Sequence, residues 1–328
     1  MTRLASYAHS GQDHVGLLAA DGLLHDLHAL QTSAPAPGEA PLPATMLDLV
    51  EAGESALAVL HRLAQLDPIP GPAGVAPQDV EFHPPVRRPS KIVCMAVNNS
   101  GLRALAVRYP EHPTFFLKAP SALIGHRGVI DLPDHRLVHP EAEVALVIGR
   151  RASRVSAADA LDYVFGYTIL DDVTSPTIRD DDLIRLRPGQ PEDDIVITVM
   201  GRHKSTDTFG PCGPYLVTRD EIADPNALDV RVWIDDVLVT EDSTANHEHH
   251  APAVIEQVSH ALTLEPGDLI SLGTAASQRT WPLYKTDLGK YGGPLRIEIE
   301  GLGTLESEVT VAGKTDGFEK IPASAPTT

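Results

Sequence analysis

The chain has 328 residues, 42% of them hydrophobic, which is enough for one large core or two modest ones in a globular protein. Its 26 Lys plus Arg stand against 45 Asp plus Glu, a formal charge of −19 that repels nucleic acid and anionic membranes and excludes both as expected partners. Cys94 and Cys212 are too few for a disulfide framework and stand in no metal-binding spacing, and no apolar run approaches a membrane span, so a reducing, cytoplasmic setting is expected.

Residues 1–66 read as a small N-terminal α+β domain. Short strands fall over 4–7 and 15–18, with turn signals at Gly11 and Asp21-Gly22. Thr45 with Asp48 three later is a capping pattern, and Leu49, Val50, Leu57, Leu60 and Leu63 follow at helical spacing. Residues 67–90 carry seven prolines and read as a stiff linker, because proline fixes φ. A second domain, 91–313, is mostly strand: 92–97, 115–118, 144–149 and 167–170 are apolar runs bounded by turn residues. Residues 230–235 and 295–300 alternate apolar with mostly charged side chains, as half-exposed antiparallel strands do. One helix is expected from Ser156, with Asp159 at the capping position. Another starts near Pro252 and buries Val254, Val258, Ala261 and Leu262. Residues 314–328 form a loose tail. The fold class expected is mainly β with α (α+β).

Glu141 and Glu143 open the apolar run over 144–148, and Asp172 ends the next one. Side chains two apart on a strand share a face and lie roughly 7 Å apart, so the two glutamates can reach one ion. A strand buried on both sides has little reason to begin with two carboxylates unless a cation meets them, since unpaired buried charge is costly. Three carboxylates without Cys or His favour Mg²⁺ or Mn²⁺ over zinc and leave positions for water or substrate. The run His247-Glu248-His249-His250 reads as an exposed start of the Pro252 helix. No dinucleotide or Walker motif is present, so neither NAD nor ATP is implied.

Taken in order, several motifs resemble the fumarylacetoacetate hydrolase family. They are Phe116-Leu117-Lys118-Ala119-Pro120-Ser121-Ala122-Leu123, Glu141-Ala142-Glu143-Val144 running on to Gly149-Arg150, Gly166-Tyr167-Thr168 leading to Asp171-Asp172-Val173, and Lys204-Ser205-Thr206-Asp207-Thr208-Phe209 with Gly213-Pro214. Thr263-Leu264-Glu265-Pro266-Gly267-Asp268, Gly273-Thr274 and Gly301-Leu302-Gly303-Thr304-Leu305 complete the series, and the N-terminal segment resembles the extra domain of longer members. The resemblance implies a mixed β-sandwich roll, a homodimer, and Mg²⁺ or Mn²⁺ held at Glu141, Glu143 and Asp172. It implies a small-molecule 2-oxo acid or 1,3-dicarbonyl acid as substrate. Lys204 falls at the family's active-site lysine and Thr274 at a threonine that contacts the substrate carboxylate. Gly273 and Lys118 are the further substrate-binding candidates.

The chain also departs from the family pattern. Hydrolytic members carry an Asn-Tyr-x-x-His-x-x-Glu run whose His and Glu activate water; here Asn98 to Leu105 places Leu102 and Leu105 at those positions. The arginine usually found after the matched aspartate is absent from Thr174-Ser175-Pro176-Thr177, and an acidic segment, 179–194, replaces the usual connection to the lysine motif. A 2-oxo acid chelates a divalent ion through carboxylate and keto oxygens, and the ion stabilises an enolate shared by cleavage, decarboxylation, dehydration and tautomerisation; only hydrolysis also needs a base for water. Lys204 is expected to carry a proton or a carboxylate, because a lysine in a desolvated site can have its pKa moved toward neutrality. His203 is placed outside the site, since neighbours on a strand face opposite ways; Arg202 would share the lysine's face and could stand in for the lost arginine, but is read first as an exposed arginine in a turn. The nominal reading is a carbon–carbon bond hydrolase of acylpyruvate or fumarylacetoacetate type. A decarboxylase, tautomerase, isomerase or dehydratase is the alternative, and a catalytically silent metal and 2-oxo-acid binder the third.

Overall fold

The computed structural model describes residues 1–134, 136–190, 193–276, 280–314 and 317–325. In chain order the strands are β1 Arg3–His9, β2 Gln12–Leu18, β3 Leu24–Asp26, β4 Glu81–Phe82, β5 Ile92–Met95, β6 Phe115–Lys118, β7 Leu123–Ile124, β8 Val129–Leu132 and β9 Ala142–Ile148. They continue as β10 Val164–Asp171, β11 Ile184–Leu186, β12 Ile195–Ile197, β13 Gly210–Thr218, β14 Asp229–Ile234, β15 Val237–Ser243, β16 Leu269–Ser271, β17 Leu295–Ile299 and β18 Gly303–Val311. Eleven of them form one sheet in the order β3-β2-β1-β13-β10-β9-β16-β5-β6, with β4 beside β1 and β7 beside β13. A second sheet runs β15-β14-β17-β18-β8, and β11 pairs only with β12.

Strand β9 lies at the centre of the large sheet, and all seven of its residues are buried. Because side chains alternate across a strand, Val144, Leu146 and Ile148 enter the core shared with the second sheet and the helix Ala251–Ala261. Ala145 and Val147 enter the core on the opposite face, with Leu170, Ile92, Cys94 and Leu4. Glu143 and Glu141 have the same parity as Ala145 and therefore project beyond the end of that second core. In the second sheet Val230, Val232, Ile234, Leu295, Ile297 and Ile299 point inward, while Arg231 faces out and pairs with Glu241 and Glu298. This is the division that the alternating sequence predicts.

The proline-rich segment does not separate two cores. Strand β1 pairs with β13, Leu4 opposite Leu216, so the N-terminal strands extend the large sheet, and Leu49 and Leu60 pack with Ala145 and Val147. Without β1 the edge of β13 would present unpaired backbone groups, which a sheet covers where it can. The segment itself pairs through β4 with β1 and is held by Arg127, which donates to the carbonyls of Gln78 and Val80.

Local differences have local causes. The single helix expected after Thr45 is two, Met46–Ala52 and Glu54–Ala64, broken at Gly53, whose φ of +56° suits glycine. Thr45 still caps the first by accepting from the Asp48 amide. The helix expected from Ser156 is a 3₁₀ helix, Ala157–Tyr163, and the Ser156 hydroxyl donates to the Asp159 carboxylate instead of capping an amide. The helix Ala251–Ala261 has proline in its first turn and buries Val254 and Val258, whereas Ala261 is exposed. Among the described residues no helix is long and apolar enough to cross a membrane.

Candidate metal and substrate site

Antiparallel pairing of β9 with β10 puts Leu170 opposite Glu143 and Asp171 opposite Ala142. One step further the Asp172 amide donates to the Glu141 carbonyl at 2.9 Å, which sets Asp172 beside both glutamates. One carboxylate oxygen from each of Glu141, Glu143 and Asp172 lies within 4.8 Å of the other two. Each acid is oriented by its surroundings. The Glu141 carboxylate accepts from Thr174 Oγ1 at 2.8 Å, and Asp171 holds the Glu141 amide at 2.7 Å. Glu143 Oε2 accepts from the Ser271 hydroxyl and from the Gly273 amide at 3.2 Å. Asp172 accepts from Lys118 Nζ at 2.8 Å and Lys204 Nζ at 2.7 Å, and the Lys204 ammonium also reaches Glu141 Oε2 at 2.8 Å.

These charges sit in a nearly dry place, where they shift one another strongly. Burial, then Asp172 and Glu141, push the Glu143 carboxyl well above its ordinary value. Burial also pulls Asp172 upward, but Lys118 and Lys204 outweigh it and hold that carboxyl below the usual range. Behind them burial raises Asp171 to about 7. For Lys204 the desolvation that would lower its pKa is overcome by Asp172, Glu141 and Glu143, which hold it above its ordinary value. The expected shift toward neutrality is therefore reversed, because two carboxylates in hydrogen-bond contact outweigh burial.

The donors suit a hard divalent ion. All three are carboxylates, and Glu143 Oε1 is fully buried without a hydrogen-bond partner among the described residues, an orphan that a cation would satisfy. Three carboxylates against two ammonium groups leave one formal negative charge, which a divalent ion would turn positive, as an anionic ligand requires.

A cavity of about 330 Å³ opens from this cluster. Glu141, Lys204, Thr274, Thr174, His139 and His203 line its polar part; Met95, Val97, Leu102, Phe116 and Met200 line the apolar part. Thr274 is on the wall. Gly273 stands behind it at φ +102°, where a Cβ would come within 2.9 Å of the Asn98 side chain. Lys118 is only 1% exposed and is enclosed behind Asp172, its remaining bond going to the Lys204 carbonyl, so it is not on the cavity wall.

Two sequence expectations change. Residues 202–205 form a helical turn, not a strand, and helical neighbours lie about 100° apart; His203 consequently lines the cavity together with Lys204. Arg202 is exposed on the same turn and pairs with Asp182, as expected of an arginine there. His247 is buried, with Nε2 3.1 Å from the Gly273 carbonyl, and Asn98 bonds the backbone of His249, so this run braces the Gly273 loop and is not an exposed helix start. Part of the acidic segment contributes as well: Arg179 lines the cavity, seven residues after Asp172. Thr174, Ser271 and His139 escaped sequence reasoning because no spacing links them; only the sheet register does.

A family model described as fumarylacetoacetate (FAA) hydrolase C-terminal matches residues 91–310. The chain belongs to the fumarylacetoacetate hydrolase family. Among its family relatives, the mitochondrial oxaloacetate tautomerase Fahd2a of Rattus norvegicus is 33% identical over 308 residues, covering 92% of this chain and 88% of the relative. A maleylpyruvate hydrolase from Sphingobium sp. SYK-6, solved with manganese(II) and pyruvate, superposes with a TM-score of 0.69 at 27% identity over 94% of this chain and 99% of that one. The 2-hydroxyhepta-2,4-diene-1,7-dioate isomerase of Mycobacterium marinum does so with a TM-score of 0.66 at 28% identity, over 96% and 100%. The family fold thus extends over the N-terminal strands as well as the matched region.

Proposed function

We propose that the chain is a divalent-metal-dependent enzyme that moves a proton at the third carbon of a 2-oxo acid, a keto–enol tautomerase or isomerase of the oxaloacetate type. The observation that carries this reading is the composition of the cavity wall. A carboxylate trio and an ammonium stand at one end, and Leu102 stands where a hydrolytic member would place its histidine. Leu105, at the position of the partner glutamate, is 70% exposed. Neither side chain can take a proton from water, whereas enolisation does not need that step. The tautomerase named among the relatives and the isomerase among the structural neighbours support the same choice.

Glu141, Glu143 and Asp172 would hold Mg²⁺ or Mn²⁺, which supplies Lewis-acid stabilisation of negative charge on the substrate oxygens. Lys118 fixes the Asp172 carboxylate from behind. Lys204, kept as an ammonium, pairs with the substrate carboxylate or the developing oxyanion, and Thr274 offers a hydroxyl to the same carboxylate. The apolar wall of Met95, Val97, Leu102 and Phe116 excludes water and strengthens these interactions. A homodimer belongs to the proposal; light scattering of the purified protein tests it. Carbon–carbon hydrolysis is the second reading, favoured by the pyruvate and manganese of the maleylpyruvate hydrolase neighbour.

The test is deuterium exchange at the third carbon of oxaloacetate with Mg²⁺, followed by NMR beside acylpyruvates. Exchange faster than the spontaneous rate, without carbon–carbon cleavage, is expected. Acid cleavage products from acylpyruvates would establish the hydrolase instead, and metal binding with neither reaction would establish a silent binder.

A further inference from the structure

Two histidines line the cavity, and each has a buried Nδ1 without a hydrogen-bond partner among the described residues. His139 lies two residues from Glu141, with Nδ1 3.7 Å from its Oε1, and so belongs to the carboxylate cluster. His203 is different. It sits on the turn Arg202–Ser205, only 2% exposed, and is fixed by its backbone carbonyl, which accepts the Ser175 amide at 3.0 Å. Its ring lines the cavity beside Lys204. Resting on the reading above, we propose that His203 is the catalytic acid–base, the group that takes the proton from the third carbon of the 2-oxo acid and returns it.

Chemical elimination among the wall residues leads to the same group. Glu141 on the wall already accepts from Lys204 and Thr174, the Lys204 Nζ directs its hydrogens at Glu141 and Asp172, and the hydroxyls of Thr174 and Thr274 are poor bases. An imidazole is the remaining wall group outside the acid cluster that can accept and donate near neutral pH. A buried ring nitrogen without a partner costs free energy, which a proton exchanged with a bound ligand would offset. Burial, then the cations of Lys204 and Arg179, keep the His203 pKa below its ordinary value, so the ring is neutral and ready to accept. The charged and titratable groups facing it are Lys204, Arg179, Asp172 and Asp182, with His139 and Glu141 across the cavity.

In the forward step the C3–H bond breaks and its proton moves to the unprotonated ring nitrogen. The electron pair forms the C2–C3 double bond while the carbonyl pair moves onto the C2 oxygen. Return of the proton from the imidazolium to the third carbon reverses the step. No oxidant or further reactant is involved.

His203→Gln and His203→Ala are expected to lower kcat for exchange by about 10²-fold or more with KM little changed. The rise of wild-type kcat/KM with pH as the histidine deprotonates should vanish in both variants, and imidazole should restore part of the activity of His203→Ala. Titration with Mn²⁺ alone serves as the folding control and should match the wild type. Wild-type rates in either variant would overturn the assignment while leaving the proposed function intact. Lost activity with lost Mn²⁺ binding and no imidazole rescue would overturn it in favour of a structural role. If the wild type itself does not accelerate exchange, the functional reading falls and this inference with it.

Discussion

At the closed end of the cavity Glu141, Glu143 and Asp172 receive bonds from Thr174, Ser271, the Gly273 amide, Lys118 and Lys204. At the other end β11 and β12 pair only with each other, and Ile184, Leu186, Ile195, Val196 and Ile197 are all exposed on a hairpin that leads to Thr198 and Met200 of the cavity wall. The first region gains its geometry from many mutually dependent contacts, most of them buried. The second depends on few, so its sequence can change at little cost to the fold. A site that must place charge within tenths of an ångström needs the first kind of construction; a wall that only shapes the mouth of a cavity does not.

The sharpest way to break this contrast is to change charge at the closed end. Asp172→Asn removes the main counter-charge of two buried ammonium groups and should cost about 3–5 kcal/mol in a urea melt, besides abolishing Mn²⁺ binding. Glu143→Gln should behave oppositely in stability. It replaces a buried acid whose Oε1 has no partner, so the metal-free protein is expected to melt no lower, while calorimetry shows Mn²⁺ affinity reduced by at least about 100-fold. Equal destabilisation by both would mean that Glu143 is held by structure alone.

A smaller effect sharpens the comparison through pH. His247 braces the Gly273 loop, and burial lowers its pKa to about 4. A depressed folded pKa means that the unfolded chain binds the proton first. Its contribution is therefore complete above about pH 6.5 and is lost as pH falls toward 4, on the order of 3 kcal/mol in all. His247→Gln, which can still donate to the Gly273 carbonyl, should flatten that part of the stability–pH curve. An unchanged slope would remove His247 from the account. The smallest effect belongs to the hairpin: Ile195→Ser with Ile197→Ser should alter stability by less than about 0.5 kcal/mol while shifting KM, because these half-exposed side chains lie outside the core clusters. A large stability loss would show that the hairpin packs against something in solution, a second copy of the chain above all.

How much was legible before the structure depended on whether a property was local. The alternation in β14 and β17 and the proline start of the helix Ala251–Ala261 are visible in short windows because a strand or a first turn is governed by its own residues. The acidic trio was visible for a related reason: two carboxylates at a spacing of two, against a strand apolar on both faces, imply a common target. His203 was misplaced because a four-residue helical turn leaves too short a pattern to be told from a strand. His247 was misplaced because its burial depends on Asn98 and Gly273, far away in the chain.

The sequence by itself determined the family, the acidic trio and the leucines at 102 and 105, since these are matters of which chemical groups are present and at what spacing. The tertiary structure alone decided that β1 completes the large sheet, that Lys204 lies between Glu141 and Asp172, and that His203 faces the cavity. Each of these follows from through-space proximity across 32 residues or more, or from the helical spacing of a single turn. Neither is written in composition or periodicity.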